Sequence, residues 1–297
     1  MTAEVGGLLA RCRFPPPGQA VTCAVSGDAD SLALLVLAVA AGTDVTAVHV
    51  DHGLRPGSAA EADVVAAAAA RYGAGFHAER VTVGPGPNLE ARARLARYAV
   101  LPPGVLTGHT ADDQAETVLL NLVRGAGVEG LAGIRDDGRR PMLGLRRSET
   151  VALCRAEGLV PVQDPSNADP AFRRNRVRHE LVPLLDDIAG RDVVAVLARQ
   201  APLLDEAADL LAELAASIDP TDAKALAAAP PALARVALRS WLRPVGRGHP
   251  PDAATVARVL AVAGREVRGT DVGGGWRVAR TAGRLRLVEP GDPAVGT

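Results

Sequence analysis

The sequence predicts an α/β fold: a parallel sheet with helices on both faces, then a helical connector and a small α+β C-terminal domain. Three observations carry this expectation. Short apolar runs alternate with helix-patterned segments through the first half of the chain. Alanine- and leucine-rich segments punctuated by prolines follow, and the tail alternates apolar with polar residues between glycines. Strand–helix alternation at this spacing means βαβ units, and in such sheets ligands sit beyond the carboxyl ends of the strands.

The elements follow in order. Gln19–Val25 reads as the first strand, ending in Ser26-Gly27, and Asp30–Ala41 as a Leu/Ala-rich helix. Asp44–Val50 is a β-branched run, Ala59–Tyr72 a helix and His77–Val83 a third strand. Asn88–Leu101 is an Arg/Ala/Leu helix with Asn88 as its N-cap. Val105-Leu106-Thr107 is a short buried strand, followed by a helix over Ala111–Val123. Ser26, Asp51 and Gly108 thus all fall at strand ends. Gly125–Pro141 reads as a loop, Ser148–Glu157 as a helix capped by Ser148, and Val162–Arg176 as irregular. Val177–Leu185, Val193–Ile218, Pro231–Leu242 and Ala253–Val262 are helical, and Arg268–Val272, Trp276–Arg280 and Leu285–Val288 form a β meander. The domain boundary is expected near residue 190, giving 1–190 and 191–297.

Composition excludes several function classes. A 48% hydrophobic content supplies a core for the 297 residues. The net charge of −1 excludes bulk affinity for nucleic acid of the histone type but leaves room for a local basic groove. Lys224 is the only lysine, so nearly all positive charge is arginine, a skew that codon composition explains. Seven scattered aromatics make no stacking platform for single-stranded nucleic acid. Cys12, Cys23 and Cys154 lie far apart with no C-x-x-C pair, which fits a reducing cytosol. The longest apolar stretch, Ser31–Gly42, falls short of the ~20 residues a membrane span needs. The N-terminus lacks a signal-peptide layout, so a cytoplasmic protein without a membrane partner is expected.

Two motifs carry chemistry. In Ser26-Gly27-Asp28-Ala29-Asp30-Ser31, a small-residue turn opens a helix. Its backbone N–H groups, with the hydroxyls of Ser26 and Ser31, suit phosphate oxygens, and the Asp30 carboxylate is placed to hold a divalent cation against them. There is no lysine here, so this is not the common Gly-x-x-x-x-Gly-Lys nucleotide loop. In the second motif, Gly108-His109 precedes a helix on which Asp113 and Glu116, three apart, share one face.

The first motif resembles the Ser-Gly-Gly-x-Asp-Ser loop of the N-type ATP pyrophosphatases, with Asp28 standing where the family has its second glycine. Asp28 then points outward, helps bind metal or weakens the loop. Five segments in order resemble one branch, the bacterial tRNA(Ile)-lysidine synthetases. They are the phosphate loop, His49-Val50-Asp51-His52-Gly53-Leu54-Arg55, the helix of Asn88 to Arg92 with Arg94, Arg97 and Tyr98, the Gly108–Gly125 stretch, and Asp164–Asn167 followed by Phe172–His179. The match covers residues 20–190 closely and the tail in outline.

The resemblance implies an ATP-dependent ligase. ATP adenylates the C2 oxygen of the wobble cytidine of a CAU-anticodon isoleucine tRNA, and free L-lysine then displaces AMP. Asp30 is the candidate for Mg²⁺, with Arg94, Arg97 and Arg174 or Arg176 to neutralise phosphate charge. Asp113 and Glu116 bind the lysine ammonium and accept its proton, and His52 or His109 orients substrate or ATP. For tRNA contact, arginines concentrate at Arg135, Arg139, Arg140, Arg146 and Arg147, again at Arg173–Arg178, and in the tail at Arg265, Arg268, Arg277, Arg280, Arg284 and Arg286. A homodimer is compatible with this reading. Two alternatives stay open: a sulfur-transferring tRNA modifier, which the separated cysteines disfavour, and a nucleotide- or RNA-binding protein without catalysis.

Overall fold

The computed structural model describes residues 3–51, 53, 59–82, 84, 89–245 and 251–289; expectations for His52 and Asn88, and for the side chain of Arg94, lie outside the described residues. The chain forms two compact units. One joins Met1–Leu120 to Gly133–Pro202, and the other joins Asn121–Ala132 to Leu203–Thr297. The division cuts two helices, between Leu120 and Asn121 and between Pro202 and Leu203.

The first unit opens with α1 (Ala3–Leu9), which the sequence pattern did not announce. Then come β1 (Ala20–Ala24), α2 (Ala29–Ala40), β2 (Asp44–Asp51), α3 (Ala59–Arg71), β3 (Gly75–Arg80), α4 (Leu89–Val100) and α5 (Ala111–Val123). β1, β2 and β3 are parallel and adjacent in that order. The expected fourth strand shrinks to one parallel bridge, Cys23 to Leu106, with Ala24 N–H donating to the Leu106 carbonyl at 2.9 Å and Leu106 N–H to that of Thr22 at 2.8 Å. Pro102, Pro103 and Gly104 in front of it and Gly108 behind leave no room for a longer ladder.

Alternation along β2 sorts its side chains between two layers. Val45 and Ala47 join Leu32, Leu34, Leu35 and Leu37 of α2 and Val65 of α3 in the main core. Val48 and Val50 face the other way, toward Leu101 and Val105. Helices α2 and α3 thus cover one face, and the residues that follow α4 pack on the other. The sheet order, with Leu106 beside β1 and β2 on its other side, places a topological switch point at β1, where α/β sheets bind ligands.

Several local expectations are corrected. The loop over Gly125–Pro141 contains α6 (Val128–Leu131). α7 spans Arg147–Ala156, so Ser148 lies inside the helix rather than capping it, and the Glu149 carboxylate accepts the Arg146 N–H at 2.8 Å instead. The stretch expected to be irregular holds a 3₁₀ turn, Pro165–Ala168, and α8 (Arg173–Arg176). One π turn, Val177–Leu181, leads into α9 (Val182–Ala189). α10 (Val193–Ala215) is the long helix shared by the two units.

In the second unit, α11 (Ala223–Ala228), α12 (Pro231–Leu242) and α13 (Ala253–Ala263) pack with the antiparallel meander β4 (Gly269–Gly273), β5 (Trp276–Thr281) and β6 (Arg284–Val288). Leu238, Leu242, Val259, Val262, Val278 and Leu285 fill its core.

Candidate active site

The phosphate loop is built by α2 and its cap. Gly27 has φ +95°, and a Cβ there would also sit 3.1 Å from Cγ2 of Val162, whose N–H binds the Gly27 carbonyl at 2.9 Å. This first glycine is therefore required. Asp28 has φ −72° and ψ 170°, extended backbone that any residue adopts. Its carboxylate accepts the Ser31 N–H at 2.8 Å and caps α2. Replacing the family's second glycine thus strains nothing. Ser31 Oγ gathers the rest of the loop, accepting from Gly27 N–H and Ser26 Oγ, each at 3.1 Å. Ala29 opens the helix and Asp30 follows in its first turn.

Gly108 locks the second motif onto this loop. A Cβ at Gly108 would lie 2.7 Å from the Asp30 carbonyl oxygen, so only glycine permits the approach. That contact brings the N-terminus of α5 to the N-terminus of α2 across the switch point. His109 is half-buried and its Nδ1 pairs with Thr107 Oγ1 at 2.8 Å.

The two helix ends meet around one guanidinium that sequence reasoning placed on the surface. Arg147 Nε lies 3.1 Å from Asp30 Oδ2, its Nη1 2.9 Å from Glu116 Oε1 and its Nη2 2.9 Å from Asp113 Oδ1. Thr150 Oγ1 takes the other Asp30 oxygen, and Thr110, through N–H and Oγ1, takes Asp113 Oδ2. Arg178 reaches Glu116 Oε1 at 2.8 Å and Arg174 reaches Oε2 at 3.5 Å. Those two arginines lie four apart, on one face of the α8–π turn segment. Glu116, with a side chain only 2% exposed, is therefore a buried carboxylate that depends on these partners.

Burial sets the proton affinities, and the partners correct them. It pushes the Asp30 carboxyl up to about 6, helped by Asp113 and Asp28 and opposed by Arg147 and Thr150. Burial would raise Asp113 as well, but Arg147, Thr110 and His109 outweigh it and hold that carboxyl below its usual range. Burial works against the Arg147 charge; Asp113, Glu116 and Asp30 outweigh it and hold the guanidinium above its ordinary pKa.

The structure thus brings together Ser26, Gly27, Asp28, Ala29, Asp30, Ser31, Gly108, Asp113, Glu116 and Arg174 of the sequence-derived candidates. Arg176 instead faces solvent and pairs with Glu180 at 2.8 Å. Arg97 lies partly buried on α4. Arg147, Thr150 and Arg178 were missed as members of this cluster. A signal existed for Arg147: a cation in the first turn opposes the helix dipole and asks for an anionic partner. Asp112 supplies part of the answer, accepting the Arg147 N–H at 2.7 Å and the Arg146 Nε at 3.1 Å.

The arginine-dense segment around residue 140 is likewise paired with carboxylates of the chain, although Arg139 and Asp137 stay exposed. Arg139 and Arg140 both bind Asp137, and Arg146 binds Asp112 and Asp192. In the tail, Arg284 binds Asp219 and Thr221, and Arg280 donates to the Ala263 carbonyl. The exposed side chains of Arg265, Arg268 and Arg286 have no hydrogen bond or ion pair among the described residues.

Comparison with known proteins places the chain in a family. A family model described as a PP-loop domain matches residues 6–185, and one described as a TilS substrate binding domain matches residues 222–286. The chain is 44% identical over 305 aligned residues to a tRNA(Ile)-lysidine synthase of Nocardia farcinica, covering 95% of this chain and 96% of that protein. A tRNA(Ile)-lysidine synthase of Rhodococcus erythropolis is 42% identical over 291 residues, covering 91% and 88%. Among solved structures, the U34-tRNA thiolase NcsA of Methanococcus maripaludis, determined with its [4Fe-4S] cluster, superposes with a TM-score of 0.54 at 17% identity, covering 68% of this chain and 77% of that one; it shares the fold. Identity at this level over nearly the whole of both chains, on a site built for phosphate and carboxylate chemistry, leaves one assignment: this chain belongs to the tRNA(Ile)-lysidine synthase family.

Proposed function

We propose that this ATP-dependent, tRNA-modifying ligase joins free L-lysine to C2 of the wobble cytidine of a CAU-anticodon isoleucine tRNA. The observation that carries the reading is the junction of the phosphate loop with Asp113 and Glu116, through Gly108 and Arg147. The loop amides of α2 hold the ATP phosphates, with Ser26 and Ser31 as hydroxyl partners. Gly108 and His109 are assigned to the nucleotide, as is His52, which lies outside the described residues. Arg94, Arg97 and Arg174 neutralise charge as AMP moves to the C2 oxygen and pyrophosphate leaves. Arg176 must first leave Glu180 to contribute. Asp113 and Glu116 then receive the lysine ammonium and take its proton, so that the free amine displaces AMP at C2.

Among the described residues, no group of three or more His, Cys, Asp and Glu comes together to hold a metal. A self-contained metal cage is therefore absent there, but Mg²⁺ needs only one or two carboxylates beside substrate phosphates. Asp30, a hard oxygen donor two residues into the loop helix, fits that role in our proposal. The metal would supply charge neutralisation at the phosphates.

We assign residues 1–190 to catalysis and 191–297 to a connector and tRNA binding, with Arg265, Arg268 and Arg286 as the exposed cations that meet the tRNA phosphates. A homodimer is part of this reading; the exposed Leu203, Leu210 and Leu214 along α10 support it. A cytoplasmic setting is supported by three free thiols and by the lack, among the described residues, of any helix long and apolar enough to cross a membrane. A sulfur-transfer reading finds no support in the cysteines, since burial pushes Cys23 up to about 12 and Cys154, with help from Asp30 and Asp28, to about 11.

The test is mass analysis of tRNA nucleosides after incubation with ATP, lysine and the isoleucine tRNA. Wild type is expected to add lysine to one cytidine, and Asp113→Asn to lose at least about 100-fold in rate. An Asp113→Asn enzyme with wild-type turnover would remove the proposed role of that carboxylate.

A further inference from the structure

The proposed seats for Mg²⁺ and for the lysine ammonium are already taken by a side chain of the protein itself. Arg147 and Thr150 hold the two oxygens of Asp30. Arg147 and Thr110 divide those of Asp113, and Arg147, Arg178 and Arg174 cover Glu116. An incoming ammonium seeks the same oxygens at the same distances. A second cation in that space would be repelled by the guanidinium at short range and in a partly desolvated site.

Arg147 has both somewhere to go and something to go to. Arg147 borders an open surface depression of about 420 Å³ along α7, together with Asp112, Val151, Arg155 and Arg178. Its backbone stays fixed by the Asp112 cap, so the movement is that of the side chain alone. Its Nε lies 3.1 Å from Asp30, at the helix end that carries the phosphate loop. A polyphosphate on that loop offers the guanidinium fork an anion with more oxygens and higher charge than any one carboxylate.

We propose that Arg147 is a positioning residue that closes the lysine seat until a nucleotide polyphosphate draws its guanidinium off Asp113 and Glu116, so that lysine binding is conditional on nucleotide. The proposal rests on the assignment of the ammonium to Asp113 and Glu116. It orders the reaction: the nucleotide enters first, and lysine is kept from the carboxylates until there is something to activate. Coupling of this kind is reciprocal, so lysine must tighten nucleotide binding by the same factor.

The test is calorimetric titration of the full chain with L-lysine, alone and with a saturating non-hydrolysable ATP analogue and Mg²⁺. In wild type, lysine is expected to bind at least about 10-fold more tightly with the analogue. In Arg147→Gln the two constants should converge, because the affinity without nucleotide rises. Arg147→Lys keeps a cation but lacks the fork for three carboxylates, and should give an intermediate ratio. If Arg147→Gln does not fold, the lysine variant decides: a ratio equal to wild type overturns the proposal. Wild-type lysine affinity that ignores the analogue, or no lysine binding with the analogue present, overturns it too. Asp113→Asn separates this failure from failure of the site assignment. If that variant binds lysine normally with the analogue, the seat lies elsewhere; if it loses lysine while wild type shows no nucleotide dependence, only the gating role falls.

Discussion

Arginine does opposite jobs in the two units. In the first, Arg147, Arg174 and Arg178 are spent on the buried Glu116, while Arg139 and Arg140 pair with the more exposed Asp137 and Arg146 with Asp112 and Asp192. In the second, Arg265, Arg268 and Arg286 stand exposed and without side-chain partners among the described residues. Density of positive charge along the chain therefore misleads about where a polyanion is met. A guanidinium bound at about 2.9 Å to a buried carboxylate neutralises that carboxylate and adds little to the outer field. An exposed one without a partner is available to phosphate.

The sharpest way to break this contrast is to remove an internal partner. Glu116→Gln should destabilise the protein by about 3–5 kcal/mol, because it leaves Arg178 and Arg147 short of their buried anion. Chemical denaturation measures this, and an unchanged midpoint would mean that these arginines need no internal anion. Asp30 tests the electrostatics of the same cluster. Its folded pKa of about 6 lies above the ordinary 3.8, so the folded state binds the proton more tightly. Its contribution to stability is then present below pH 4 and is lost as pH rises from about 4 to 6, by on the order of 3 kcal/mol. Melting of the ligand-free protein against pH should show this loss, and Asp30→Asn should abolish it; parallel curves would contradict the burial argument. Asp113, held low, works in the opposite direction, stabilising above its unfolded pKa and less as pH falls through its folded one.

The exposed arginines give a smaller effect of a different kind. Arg268→Glu with Arg286→Glu should weaken tRNA binding about 10-fold and flatten its salt dependence by roughly 0.7–0.9 per lost phosphate contact. Arg139→Glu with Arg140→Glu, whose wild-type side chains already bind Asp137, should change the salt slope less. Equal slopes for the two pairs, in filter-binding titrations, would erase the distinction between the units. Arg284 is a poor probe, since Asp219 holds it. Smallest is Asp28: Asp28→Ala should cost about 1 kcal/mol through the lost cap on Ser31 N–H, and Asp28→Gly only a few tenths. An Asp28→Ala protein as stable as wild type would show that the cap contributes nothing.

The comparison also marks how far the sequence reached. Local spacing was legible: α5 and α12 run where periodicity placed them, and the other strands and helices of the alternating half differ from expectation by at most a few residues. Where flanking prolines and glycines cut a ladder short, as at Leu106, apolar content alone overstated the strand. The phosphate loop and the Asp113–Glu116 pair were readable because each lies within one turn, where spacing dictates geometry. Asp28 was ambiguous because the residue type admits either helix capping or a left-handed backbone, and only φ tells them apart.

The sequence by itself determined the βαβ pattern, the loop at the N-terminus of α2 and the carboxylate face of α5. Periodicity, turn chemistry and three-residue spacing are local properties that the chain carries wherever it goes. Only the tertiary structure decided which arginines belong to the site. Arg147 is 31 residues from Glu116 and 117 from Asp30, and Arg178 is 62 from Glu116. No short-range rule pairs residues at those separations. The approach of Gly108 to the Asp30 backbone and the Asp112 cap on α7 bring them within hydrogen-bonding distance, and burial then leaves each charge no stable alternative to the other.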